Sequence, residues 1–177
     1  AMLWVFLLHS SVWFGFEMLS FFIPKSFDSL DQLAIGIPFG TTVVSWIFFI
    51  IRYFRCIHKM TVLVAVILLY TASLAMHLIT QKNFIVRKLY WYTYAVFISM
   101  IVLTSWCFYK AILYKTTSSA GTVYSDLPVH LGLITSFAYG ANSGTKVFTT
   151  PFIAGEKLCY PFIPDFFSAI LVVAGAS

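Results

Sequence analysis

Asp126 and His130 stand four residues apart. On a helix that spacing puts them on one face, with side-chain roots about 5–6 Å from each other. A carboxylate and an imidazole at that distance can share a proton. Equally, both can face one divalent cation, Mg or Mn. Negative charge is favoured at a helix N-terminus, and an ionised acid is what a base or a metal ligand needs. The same two residues also have a plainer reading, in which Asp126 caps the helix and His130 packs at an interface.

Other residues are candidates of the same kind. Glu156 and Lys157 follow Gly155, and a lysine beside a glycine-turned backbone can meet a phosphate as a point charge. Lys146 lies in the same polar stretch, and Asp165 follows Pro164 in the position of a helix cap. Glu17 and His9 fall inside the first apolar run. A carboxylate there costs a few kcal/mol unless it is neutral, paired or near an end. With Ser10 seven residues before Glu17, one face of that run is polar. It reads either as an inward-facing helix or as part of a substrate or ion path. His77, close to the end of a later run, reads as interfacial. Cys56, Cys107 and Cys159 form no CxxC and no Cys/His cluster, so the spacing points to neither a disulfide framework nor a zinc site.

The elements that hold these residues are apolar. Of 177 residues, 60% are hydrophobic and 10% charged, against about 25% charged in a soluble domain. That composition predicts an all-α, polytopic transmembrane bundle. Spans are predicted at about 2–23, 34–51, 61–80 and 92–113. Pro38, Gly36 and Gly40 lie in the first turns of the second, where they kink or start it. Ser26 or Ser29 is the predicted cap before it. Basic and aromatic residues flank the spans, as in Arg87–Lys88–Leu89–Tyr90–Trp91. The net charge of +5 comes from residues at span ends. It suits lipid headgroups, and no nucleic-acid partner is expected.

Residues 114–161 read as an extramembrane loop. Within it a short amphipathic helix is predicted at about 126–139, capped by Ser125 or Asp126, with Pro128 in its first turn and Gly140 after its end. It is too short to span and is expected to lie along the interface. Residues 162–177 read as the start of a fifth span, cut short, which suggests the N-terminal portion of a longer protein. If the first four spans all cross, Arg52, Arg55 and Lys59 share a side with Lys110, Lys115, Lys146 and Lys157; Lys25, Lys82, Arg87 and Lys88 are opposite. The basic excess assigns the Asp126 loop to the cytoplasm.

The string YSDLPVHLGLITSFAYGAN, then PFIAGEKLCYPF and DFFSAIL, resembles the C superfamily of polytopic glycosyltransferases, which includes the protein mannosyltransferases. The GIPFG segment at 36–40 shares the likeness more loosely. The resemblance implies transfer of a sugar from a polyprenyl-phosphate donor to an acceptor hydroxyl, with inversion. It implies Asp126 as general base or metal ligand, His130 as its orienting or coordinating partner, and Lys157 or Lys146 against the departing phosphate. It implies a multi-pass protein of the cell membrane, or of the endoplasmic reticulum in a eukaryote. It also places the acidic loop outside, opposite to the charge distribution. The residues leave two other classes open: a non-catalytic membrane subunit, and a transporter using Glu17 and His9.

Overall fold

The computed structural model describes residues 2–24, 28–81, 90–110, 123–144 and 147–176. Among these residues it is all-helical: α1 (Leu3–Ser20), α2 (Ser29–Phe54), α3 (Lys59–Thr80), α4 (Trp91–Phe108), α5 (Val123–Ala138) and α6 (Ile163–Val173). Three helices, α1, α2 and α3, are long and apolar enough to cross a membrane. α4 and α6 are shorter and also apolar. The chain forms two compact units, Ala1–Val86 with Gly132–Ser177, and Arg87–Leu131.

In the first unit α1 is central: α2 and α3 each pack against it. Small residues let α1 and α2 approach closely. A Cβ added to Gly40 would collide with the Ser11 carbonyl oxygen, and one added to Gly15 would lie 2.7 Å from the Gly40 amide nitrogen. Gly36 and Gly40 are four apart on α2, and so are Ser11 and Gly15 on α1. This is the small-residue crossing that apolar helices use in hydrocarbon, where burying apolar surface gives no advantage and close van der Waals contact must hold the helices together. GIPFG therefore acts as a packing face. Pro38 sits inside an unbroken helix, with the Thr41 hydroxyl donating to the carbonyls of Ile37 (3.0 Å) and Pro38 (3.1 Å).

α2 starts five residues earlier than the expected 34. Its cap is Asp28, not Ser29, and the Asp28 carboxylate accepts the Leu30 N–H at 2.8 Å; Ser26 lies outside the described residues. The polar connection thus becomes the first turn of the helix. Gln32, fully buried there, donates to the Phe16 carbonyl (2.7 Å) and to the Ser20 hydroxyl (2.6 Å), tying the start of α2 to the end of α1.

At the other end of α2 the chain builds an aromatic core. Phe49 of α2, Phe137 of α5, Phe148, and Phe162 and Phe166 beside and within α6 pack with ring centroids 5.0–6.5 Å apart. Segment 148–158 folds back on itself. Thr150 N–H donates to Glu156 O (2.9 Å), Leu158 N–H to Phe148 O (3.0 Å), and Gly155 makes the turn at φ 82°.

In the second unit, α4 has no buried side chain among those described. An apolar helix exposed on all sides suits hydrocarbon surroundings. Of the span expected at 92–113, residues 111–113 lie outside the described residues. α5 begins at Val123, so Asp126 stands in its first turn rather than at a cap, and Pro128 lies within it. It ends before Gly140, with the Tyr139 and Gly140 N–H groups both donating to Thr135 O (2.9 and 3.0 Å).

Candidate functional site

α1 and α3 meet along a polar seam. His9, Trp13 and Glu17 recur every four residues and share one face of α1. Opposite them on α3 stand Tyr70 and His77, two turns apart. His9 Nδ1 lies 2.9 Å from the Tyr70 hydroxyl, and the Trp13 and Tyr70 rings meet edge to face at 5.8 Å. At the end of the seam Glu17 Oε1 accepts the Trp13 indole N–H at 3.1 Å and lies 3.0 Å from His77 Nδ1. The Glu17 side chain is 3% exposed and that of His77 49%. The second carboxylate oxygen of Glu17 is buried with no hydrogen-bond partner. Beside the pair is a cavity of about 450 Å³, lined by His9, Trp13, Phe16, Leu33 and both members of the pair.

A second cavity follows from the packing. α2 and α3 are joined by a four-residue link and both lean on α1, with little direct contact between them. The space between them is an apolar groove of about 830 Å³. Its walls include Val44, Ile51, Val64 and Leu68, with Phe14 of α1 also lining it. Arg55 and His58, exposed in the link, line its head. The size lies within the range of about 300–1,000 Å³ usual for ligand pockets.

Arg52, one turn before Arg55, is buried and turned to another task. Its guanidinium donates to the Asn142 carbonyl and stacks over the Phe148 ring at 4.0 Å. Asn142, itself fully buried, bonds Ser136 Oγ (2.9 Å), Thr149 O (2.7 Å) and Thr149 N–H (2.9 Å). The loop after α5 is thereby clasped to the end of α2.

The sequence candidates separate in these surroundings. In the 87–131 unit Asp126 is exposed and His130 half-buried, one turn apart on α5 as their spacing predicts. Lys157 and Glu156 are exposed on the folded-back segment, where Lys157 bridges to Thr149. Lys146 lies outside the described residues. Asp165 is buried in the first turn of α6, with Phe162 at the cap position instead. Among the described residues, no group of three or more His, Cys, Asp or Glu side chains is placed to hold a metal ion. The pair the structure joins is Glu17 with His77, sixty residues apart and invisible to local spacing. The four-residue recurrence of His9, Trp13 and Glu17 was the available signal for their shared face. No protein-family model, curated protein or solved structure matches the chain.

Proposed function

We propose that this chain is the membrane-embedded part of a transferase that moves a sugar from a polyprenyl-phosphate donor to an acceptor hydroxyl, with inversion. One observation supports the reading above all: the α2–α3 groove pairs long apolar walls with a polar head at Arg55 and His58. An isoprenoid chain needs the walls, and its phosphate needs the Arg55 cation and the hydrogen-bond donor of His58. α5 lies along the interface and presents Asp126 to the acceptor. As the acceptor oxygen attacks the anomeric carbon, its proton passes to the Asp126 carboxylate. The carbon–oxygen bond to phosphate breaks, and the phosphate leaves with the bonding pair. His130 orients the carboxylate. Lys157 and Lys146 offset the charge that develops on the leaving phosphate. Should a divalent ion take part, Asp126 and His130 would give it one oxygen and one nitrogen ligand.

The test is transfer by the protein carrying this chain, with Asp126 replaced by Asn. Loss of a general base lowers the rate by about 10²–10⁴-fold, while membrane insertion and donor binding persist. Unchanged transfer by Asp126→Asn removes Asp126 from the mechanism.

A further inference from the structure

The groove and the Asp126 helix leave the α1–α3 seam unused, and its charges do not balance. Glu17 is buried among apolar helices with one oxygen bonded twice and the other bonded to nothing. Among the described residues, its neighbours carry no fixed positive charge. On α1 they are Trp13 and, two turns away, His9, which is engaged with Tyr70 of α3. From α2 the cavity wall is Leu33, and the adjacent Gln32 is a neutral amide bonded to Phe16 O and Ser20 Oγ. Asp28, the α2 cap, and Asp31, in its first turn, are acids and supply no positive charge. α6 also touches α1, and its one titratable side chain, Asp165, is another acid. With His77 neutral, the Glu17–His77 pair carries a net charge of −1 in an apolar setting, which is unfavourable. One added proton makes it neutral overall.

We propose that Glu17 and His77 form a proton-exchange site opening into the cavity beside them. His77 Nδ1 lies 3.0 Å from Glu17 Oε1, and an ionised carboxylate, which can only accept, requires the hydrogen on Nδ1. The exchanging atom is therefore Nε2, on a ring that is half exposed. A hydronium ion reaching the cavity gives a proton to Nε2 and is left as water; the imidazole becomes imidazolium, and the carboxylate stays bonded to Nδ1–H as its counter-ion. Return of that proton to water restores the neutral ring. At about 30 Å³ per water, the 450 Å³ cavity has room for the hydrogen-bonded waters such exchange requires. The substrate of the site is thus the proton itself, delivered by water. This site is independent of the transfer reading: it stands if Asp126 proves idle, and falls without harming it.

The experiment is nuclear magnetic resonance on the chain in lipid vesicles, with ¹⁵N-histidine and ¹³C-carboxyl-glutamate labels, across a pH titration. In the unaltered protein, His77 Nε2 and the Glu17 carboxyl carbon should respond in one common step while Nδ1 keeps its hydrogen bond. In Glu17→Gln the His77 Nδ1 signal should lose the signature of its hydrogen bond to a carboxylate, with the His9 signals unchanged. A Glu17 carboxyl carbon indifferent to the His77 step overturns the proposal, and so does a His77 Nδ1 signal that Glu17→Gln leaves unmoved. The first criterion uses the unaltered protein and does not depend on the variant folding.

Discussion

Glu17 shows how far one residue's surroundings decide its meaning. Its position inside an apolar run was legible in the sequence, and so was the need for a partner. His77 could not be found, because the pairing rests on how α3 lies against α1 and not on any local pattern. Removing His77 alone leaves the buried carboxylate with Trp13 only. We expect His77→Ala to destabilise the chain by about 1–3 kcal/mol, the usual effect of stranding a buried polar group. Thermal unfolding in detergent would register it. The double variant Glu17→Met/His77→Leu, which removes both polar groups, should recover part of that loss; a double variant worse than the sum of the singles would contradict this account of the pair. Asp126 and His130 are the opposite case. Their shared helix face followed from spacing alone, because both lie on one element. Lys157 and Asp165 were found by type, but their surroundings were not: Asp165 is buried in a first turn rather than capping it.

Among the elements, the three long helices were the most legible, since about 20 apolar residues are needed to cross hydrocarbon and such runs are hard to miss. Their edges were less so. α2 gained five residues because Asp28 supplied a cap that its acidic, loop-like neighbourhood concealed. The reading of GIPFG as a kink or a helix start missed its role: Gly36 and Gly40 form the face on which α1 lies. The signal was the four-residue spacing of small residues. Gly40→Leu should therefore separate α1 from α2, since its side chain would enter the Ser11 backbone. Disulfide trapping between cysteines placed on the two helices would report the loss. Leu at Ile37, which is exposed, should leave trapping intact. Equal trapping in Gly40→Leu and Ile37→Leu would refute the crossing.

For the whole molecule, the distribution of basic residues predicts an orientation. The clasp of Arg52 on Asn142 holds the loop after α5 at the same end of the first unit as Arg55 and Lys59. Lys25, Lys82, Arg87 and Lys88 are the basic residues expected opposite, and the excess on the loop side predicts, by the positive-inside rule, that the loop faces the cytoplasm. Cys159, exposed in that loop, should react with a membrane-impermeant maleimide only after permeabilisation, in a chain with Cys56→Ser and Cys107→Ser. Labelling of intact cells would instead match the orientation that the glycosyltransferase resemblance implies. The groove itself was not legible in the sequence, because it exists only where two helices lean on a third without closing on each other. It is also where the account is most exposed to test. A photoactivatable polyprenyl phosphate, added to the chain in vesicles and mapped by mass spectrometry, should crosslink to Ile51, Val64 and Leu68, and Arg55→Glu should reduce that yield several-fold. Labelling spread evenly over the exposed residues of α4 and the groove alike, and indifferent to Arg55→Glu, would contradict it.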